Sequence, residues 1–244
     1  MKKNLLNKKK CNFNFYIDND PEWGGTFQYT NLLIKAIQLK FTKKNIKFFY
    51  TNKVWEKNFN FNSQSIKINF FQSFLIQILI FFNLKKLTNI LSKIDLLSLP
   101  KTFFNKDEYW FFPSQDLISV LCGGKTITSI NDLMHRYSNF SETSSFLRKI
   151  YRDYRFRKIA KYSYRVLVDS KLGKKHVKES YGNRNNIRVQ YFSTLPQTFK
   201  KIKKKDKYII YPAQFWDHKN HENLILAINI LKKRFKKIKL LLIG

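Results

Sequence analysis

The sequence of 244 residues is poor in cysteine, glycine, proline and acidic side chains. Its two cysteines, Cys11 and Cys122, are too few for a disulfide framework and favour a reducing compartment. Seven glycines and five prolines exclude collagen-like and low-complexity chains. Because 43% of the residues are hydrophobic and 17% are aromatic, the composition is that of a globular protein of one or two domains.

The shortage of acidic residues leaves a large positive charge. Sixteen acidic residues stand against 47 basic ones, which gives a formal net charge of +31. Such a charge favours a polyanionic partner, either nucleic acid or an anionic membrane surface. The excess is mainly lysine, which an AT-rich genome also produces without any selection for binding. Both explanations of the charge remain open at this point.

Long hydrophobic runs are also missing. The most apolar segment, 70–82, has 13 residues, and a membrane-spanning helix needs about 20. The segment is either a core helix or an interfacial helix followed by the basic pair Lys85 and Lys86. The basic start of the chain, 1–10, is followed by polar residues rather than by the apolar stretch of a signal peptide. We therefore predict a cytoplasmic protein, with peripheral attachment to the inner membrane face as an open alternative.

Strand-like and helix-like segments alternate along the chain. This alternation predicts βαβ units and a doubly wound parallel sheet of the α/β class. Ligands of such sheets bind where strands end and loops enter helices, which here are Gly24-Gly25, Asn131-Asp132 and Asp169-Ser170. The predicted strands are 12–17, 46–50, 66–70, 109–112, 125–130, 165–168 and 187–191.

A change of composition predicts a domain boundary. Six lysines fall within 200–207, which is typical of a solvated linker. Beyond it, only one further βαβ unit is predicted, with strands at 208–211 and 238–243 and a helix at 220–235. Two parallel strands leave their faces uncovered. We therefore predict one domain over 1–200 and the start of a truncated second domain over 207–244.

Candidate binding residues lie at the predicted strand ends. Gly24 and Gly25 would let backbone N–H groups approach an anion at a helix N-terminus, although a plain turn explains them equally well. Asp132, His135 and Arg136 are suited to orienting hydroxyl groups and stabilising charge. A structural role for these three residues is the alternative.

The region 217–222 contains two histidines and two acidic residues. Their short spacing favours helix capping over a metal site, so no metal and no cofactor are predicted. Lys219 precedes the predicted helix and could neutralise a diphosphate.

Four stretches, in order, resemble the motifs of one enzyme family, the retaining glycosyltransferases of family 4. That family has the GT-B fold of two facing Rossmann-like domains. The last stretch is the most specific, and the four together extend the resemblance over about 12–244. The stretches are WGGTFQY at 23–29, TSINDLMHRYSNFSE at 128–142, VLVDSKLGKKHVKESYG at 166–182 and YPAQFWDHKNHENLILAINIL at 211–231.

The resemblance implies transfer of a sugar from a nucleotide-sugar donor to a glycan or lipid-linked acceptor, as in polysaccharide biosynthesis. Gly24 and Gly25 would then face the donor diphosphate or the acceptor. Gln214 and Lys219 stand five residues apart, as do the arginine and lysine that grip the donor phosphates in the family. Arg136 and Ser170 lie in the matching stretches and would contribute to donor or acceptor binding.

The sequence also departs from the family pattern. Asn131 stands where the family more often has a histidine near the reacting sugar, so Asn131, Asp132 and His135 are the candidates for catalysis. Gln214 replaces a positive charge. The family's Glu-x7-Glu element is missing, so we expect little activity from this chain alone and consider a separately encoded C-terminal half. The alternatives are an inactive fragment and a basic module that binds anionic membrane or nucleic acid. Nucleic acid is disfavoured, because the aromatic residues do not alternate with arginine.

Overall fold

The computed structural model describes residues 12–40, 45–59, 62–138, 140, 145–192 and 208–244. The predicted linker at 200–207 and Cys11 lie outside these residues. The described parts of 1–133 and 153–195 form one compact unit, and those of 134–152 and 196–244 form another. We call them the first and the second unit.

A parallel sheet forms the centre of the first unit. Within the described residues it has seven strands in the order β3-β2-β1-β4-β5-β6-β7, and all pairs of neighbours are parallel. The predicted α/β fold with a doubly wound parallel sheet is therefore confirmed. The strands are β1 (Phe13–Ile17), β2 (Ile46–Tyr50), β3 (Ser63–Ser65), β4 (Tyr109–Phe112), β5 (Lys125–Ser129), β6 (Arg165–Val168) and β7 (Ile187–Val189).

Helices connect these strands. α1 joins β1 to β2, and both α2 and α3 lie between β3 and β4 in the chain. A parallel neighbour can only be reached by such a crossover, which explains the alternation seen in the sequence. The helices before β7 are α1 (Gly25–Lys40), α2 (Phe70–Phe81), α3 (Lys85–Lys93), α4 (Met134–Tyr137), α5 (Phe146–Tyr162) and α6 (Lys171–Tyr181).

The central strands are apolar on both faces, because helices cover the sheet on both sides. Phe15 and Ile17 of β1 pack with Ile34 of α1 in one core cluster. Tyr16, between them, points the other way and packs with Leu79 of α2 in a second cluster. This two-sided burial explains why these strands read as continuous apolar runs.

The chain reverses its direction across the sheet between β1 and β4. From β1 it proceeds outward to β2 and β3, and it then returns to β4 and proceeds the other way to β7. Loops at the carboxyl ends of β1 and β4 therefore diverge and leave a crevice, which is where open α/β sheets bind ligands.

One predicted strand was misplaced. The apolar residues at 66–70 were expected to form the third strand, but β3 comprises Ser63–Ser65 and pairs Ser63 with Phe48 of β2. Ile66 is buried directly after this strand, and Phe70 is already the first residue of α2. β3 is an edge strand with three exposed residues, so its side chains carry no apolar signal.

The second unit contains one βαβ element, as predicted. β8 (Tyr208–Pro212) and β9 (Lys239–Ile243) are parallel neighbours joined through α7 (His221–Arg234). Alternate residues of both strands are exposed, among them Ile210 and Leu241. One face of this two-stranded piece is therefore uncovered, and the residues of the other face are half-buried.

Candidate functional site

A glycine loop connects β1 to α1 at the reversal point of the sheet. After Ile17 the chain makes a short 3₁₀ turn over Pro21–Trp23, and the Gly24 N–H donates to the Pro21 carbonyl at 3.2 Å. Gly24 has a φ of +53°, a conformation that side chains with a Cβ rarely adopt. α1 begins at Gly25. The two glycines thus fit the sharp entry into the helix.

Buried hydrogen bonds hold this loop in place. The Asn19 side-chain amide donates to the Thr26 carbonyl at 3.1 Å and to Thr30 Oγ1 at 2.9 Å. The Trp55 Nε1 donates to the Asn19 carbonyl at 2.7 Å. Asn19 and Trp55 are both fully buried. The loop backbone is therefore ordered by the protein interior before any ligand binds.

The outer side of the loop is open. A Cβ added to Gly24 or Gly25 would have no heavy atom within 4 Å. The first N–H groups of a helix lack partners within the helix, and its N-terminus carries partial positive charge. The loop therefore offers donors and space to an anionic or hydroxyl-rich ligand.

Sequence reasoning missed a pair of carboxyl groups at the same reversal point, of which Asp116 is buried and Asp18 is half-buried. Asp18 follows β1, Asp116 lies four residues beyond β4, and the two carboxyl groups are close enough to influence each other's pKa. Burial raises the pKa of both groups, and the neighbouring Asp18 charge raises that of Asp116 further. The Arg155 guanidinium has the opposite effect on both pKa values. The pair therefore tends to retain a shared proton.

The surroundings of this pair are polar as well as buried. Ser114, Gln115 and Ser119 lie next to Asp116 in the chain and are all buried. A side-chain oxygen of each is buried without a hydrogen-bond partner in the part of the chain that the structure describes. Unpaired buried oxygens of this kind are satisfied by ordered water or by a ligand. The segment after β4 thus contains several buried oxygen atoms that can accept or share hydrogen bonds.

The predicted residues after β5 lie where they were expected along the chain. Asn131 and Asp132 are half-buried and follow the strand after Ile130, whose N–H donates to the Leu167 carbonyl at 2.8 Å. His135 and Arg136 belong to the one-turn helix α4, where His135 is buried and Arg136 is exposed. Asn131 and Asp132 fall in the first unit, whereas His135 and Arg136 fall in the second.

Ser170, after β6, which was predicted to contact the donor or the acceptor, has a structural function as a helix cap. Its hydroxyl oxygen accepts from the Gly173 N–H at 2.9 Å and caps α6, and it donates to Asp169 Oδ1 at 2.9 Å. A serine at this position commonly satisfies a free N–H of the first helical turn. The cap accounts for the residue type without a ligand.

The second unit carries Gln214 and Lys219 in the connection from β8 to α7. Both side chains are exposed. The connection is held by the Tyr211 hydroxyl, which donates to the Lys219 carbonyl at 2.8 Å, and by a left-handed Asn220 before the helix. Lys219 therefore stands two residues before the α7 N-terminus, where its charge adds to that of the helix dipole.

No group of three or more histidine, cysteine, aspartate or glutamate side chains in the described ranges could hold a metal ion. Cys122, the cysteine within the described ranges, is buried and is not part of a disulfide bond.

No protein-family model matches the sequence, and none of the curated proteins matches it. Solved structures do match the fold. Alr3699/HepE from Anabaena in complex with UDP and glucose aligns with a TM-score of 0.59 and 10% identity, over 94% of this chain and 60% of that chain. The same protein in complex with UDP-glucose aligns with a TM-score of 0.53 and 6% identity, over 95% of this chain and 69% of that chain. The likeness is therefore one of fold, and this chain spans about 60% of the length of the first of these structures.

Proposed function

We propose that this chain is part of a glycosyltransferase that transfers a hexosyl group from a nucleotide-diphosphate sugar to an acceptor hydroxyl. The matched fold supports this proposal, because the HepE structures contain UDP, glucose or UDP-glucose. The sequence motifs at 23–29 and 211–231 support it independently of the fold comparison.

One observation carries the proposal: an open, prearranged glycine loop precedes α1 at the reversal point of the sheet. Its backbone N–H groups suit a phosphate or a sugar hydroxyl group. Buried hydrogen bonds made by Asn19 and Trp55 fix this loop, and its outer side is open.

In the proposed reaction, the bond between the anomeric carbon and the diphosphate oxygen breaks, and a bond from that carbon to the acceptor oxygen forms. The acceptor hydroxyl gives its proton to a basic group of the protein or to an oxygen of the leaving diphosphate, and the departing diphosphate gains negative charge. Lys219 and the α7 N-terminus are suited to stabilising that charge, with Gln214 as a neutral hydrogen-bonding neighbour. We assign donor or acceptor contacts to Gly24 and Gly25 as well.

The residues after β5 are proposed to act on the acceptor and the sugar. Asn131 is a hydrogen-bond donor without a titrating group, so it would position rather than transfer a proton. Asp132 carries a carboxylate and His135 an imidazole, the groups that most often move protons in enzymes. Arg136 and Ser170 complete the proposed set. Retention of the anomeric configuration follows from the family resemblance and belongs to the proposal.

The finer assignments concern the acceptor and the rest of the site. We propose a glycan or a lipid-linked saccharide as acceptor, and catalysis without a cofactor at the cytoplasmic face of the membrane. The exposed apolar faces of β8 and β9 favour further strands and helices that complete a nucleotide-sugar domain, from the same or a separately encoded chain.

Donor binding tests the proposal directly. Isothermal titration of the purified chain with UDP-glucose, other nucleotide-sugars and free UDP should give saturable binding of at least one donor. Transfer to an acceptor is then measured by release of the nucleoside diphosphate. A folded chain that binds none of these compounds, with or without a C-terminal half, would overturn the assignment.

A further inference from the structure

The helix α2 exposes a continuous apolar face. Its exposed apolar residues recur every three or four positions, so they occupy about one third of the helix circumference. Their exposed fractions range from 38% for Ile78 to 89% for Phe70. We call this set the phenylalanine face; it consists of Phe70, Phe71, Phe74, Ile78, Phe81 and Phe82.

The opposite side of α2 fixes the orientation of this face. Ile76, Leu79 and Ile80 are buried in the core cluster that contains Trp110. Asn69 and Gln72 form a reciprocal capping box at the start of the helix. The helix is therefore firmly docked, and its phenylalanines face outward because the fold holds them there rather than because the helix is loosely packed.

The end of α2 is held by a charged side chain. The Lys158 ammonium on α5 donates to the carbonyl oxygens of Ile80 at 3.3 Å and Phe81 at 3.0 Å. A cation at this position satisfies the last carbonyl groups of the helix and complements its dipole.

The next helix, α3, packs Leu91 against the core but otherwise buries polar residues and exposes apolar ones. Its buried residues are Thr88 and Ser92, whose hydroxyls donate to the Leu84 carbonyl at 2.8 Å and the Leu99 carbonyl at 3.2 Å. Its exposed apolar residues include Leu87 and Ile90. A helix whose only role was to complete the core would bury its apolar residues and expose its hydroxyl-bearing residues.

The charged residues between Glu56 and Asp95 are all lysines. The segment 57–94 contains five lysines and no acidic residue. Lys67, Lys86 and Lys93 are exposed in this segment. An apolar face with a basic surround is the pattern by which amphipathic helices attach to anionic lipid.

We propose that the phenylalanine face, together with the exposed side of α3, docks this protein onto the surface of an anionic lipid bilayer. Among the described residues, no helix combines the length and apolarity needed to cross a membrane. With 12 residues, α2 is about 18 Å long, against a hydrocarbon thickness of about 30 Å. The helix therefore lies along the interface, with its phenylalanines below the headgroups and its lysines among them.

The positive net charge favours an anionic bilayer over a second copy of the chain as the partner of this surface. Two copies that each carry a net charge of +31 repel one another, whereas an anionic leaflet attracts both the lysines of 57–94 and the whole chain. The inference does not rest on the proposed transferase activity, because membrane binding is measured without a donor.

Co-sedimentation with vesicles tests the docking surface. The vesicles contain about 70 mol% phosphatidylcholine and about 30 mol% phosphatidylglycerol, and pure phosphatidylcholine vesicles are the comparison. The triple variant Phe71→Ser, Phe74→Ser, Phe81→Ser should lose about a hundredfold in partition coefficient, because each exposed ring contributes apolar area to the bilayer. The double variant Lys86→Gln, Lys93→Gln should lose about tenfold or more.

Matched controls separate this surface from general charge and hydrophobicity. The triple variant Phe146→Ser, Leu147→Ser, Phe235→Ser removes three apolar side chains elsewhere that are 53–76% exposed. The double variant Lys232→Gln, Lys233→Gln removes the same charge from α7. Neither control should change binding more than about twofold beyond the loss expected from net charge. An unchanged melting temperature in every variant shows that the fold is retained.

Two results would overturn the proposal. One is equal binding by the α2 and control variants, which would leave only nonspecific attraction of a basic protein. The other is a homodimer in analytical ultracentrifugation that dissociates in the α2 triple variant, which would assign the face to a second copy. Failure of donor binding with intact vesicle binding would refute the proposed function alone.

Discussion

The carboxyl groups of Asp18 and Asp116 interact electrostatically at the point where the sheet reverses its strand order. They are 98 positions apart in the sequence and come together because β1 and β4 are parallel neighbours. Tyr16, Asp20 and Arg155 also interact electrostatically with the pair. The protein interior at this point thus contains a carboxyl group, that of Asp116, whose ionised form is disfavoured by burial.

The first prediction concerns the pH dependence of stability. Because burial raises the pKa of Asp116, the folded state keeps its proton to a higher pH than the unfolded state does. The free energy of unfolding should therefore fall as the pH rises above about 4, by about 1.4 kcal/mol for each pH unit in which only the folded state is protonated. Asp116→Asn should reduce this fall and be more stable than the wild type at about pH 8.

Urea denaturation between about pH 5 and about pH 8 measures this effect. Asp107→Asn, at an exposed aspartate, is the control and should follow the wild-type profile. Parallel profiles for wild type and Asp116→Asn would contradict the assignment of a shared proton to the pair.

The second prediction separates the two glycines of the loop. Gly24→Ala should lower the free energy of unfolding by about 1–3 kcal/mol, because its positive φ strains any residue with a Cβ. Gly25→Ala has no neighbour to displace and begins a helix, so its stability should match that of the wild type. If a ligand approaches the backbone there, Gly25→Ala should weaken UDP-glucose binding about tenfold.

Thermal melts and calorimetric titrations of both variants provide the two readouts. Wild-type donor affinity in a folded Gly25→Ala protein would show that the ligand does not contact this backbone.

The third prediction addresses the connection between β8 and α7. Lys219→Ala should weaken UDP-glucose binding about tenfold, because it removes the positive charge near the diphosphate. Gln214→Arg should strengthen it about fivefold by restoring a second cation. Lys232→Ala, which removes an exposed lysine at the far end of α7, is the control for net charge. Equal affinities for all three variants would place the diphosphate elsewhere.

The fourth prediction compares two fully buried tryptophans. Trp55→Phe removes the hydrogen bond to the Asn19 carbonyl, and Trp110→Phe removes one to the Thr102 carbonyl. Each should lower the free energy of unfolding by about 1–3 kcal/mol. Only Trp55→Phe should also weaken donor binding, because only Trp55 holds the glycine loop. A loss of affinity in both variants would indicate a general effect of destabilisation.

Local sequence patterns were sufficient for most of the sheet. Runs such as Phe13–Ile17 and Tyr109–Phe112 are buried on both faces and therefore remain apolar at every position or nearly so. The apolar pattern did not predict β3, because Ser63–Ser65 lies at the exposed edge and is defined by its pairing with β2. Edge strands need no apolar face, so their positions depend on a partner that the sequence pattern does not specify.

From the sequence, only those residues of the candidate site that lie directly beside a recognisable strand could be predicted. The two glycines and the strand-end residues Asn131 and Asp132 stand beside recognisable strands. Asp116 follows its strand by four residues within a polar segment, and nothing nearby distinguishes it from an ordinary loop aspartate. Its importance arises from the neighbouring strand β1, nearly a hundred positions earlier in the chain. A carboxylate beyond the end of a strand could have been found by first assigning the strand order.

The tryptophans beside the glycine loop also allow ligand binding to be followed by intrinsic fluorescence. Trp23 is half exposed directly before Gly24, and Trp55 is buried with its indole N–H bonded to the loop. A ligand that covers the loop would remove water from Trp23, and the emission maximum of that indole would shift to shorter wavelength. Trp55 and Trp110 would keep their buried environments, and replacing the exposed Trp216 by phenylalanine would leave Trp23 as the indole that responds. The protein therefore needs no added fluorophore for its ligands to be screened at this loop.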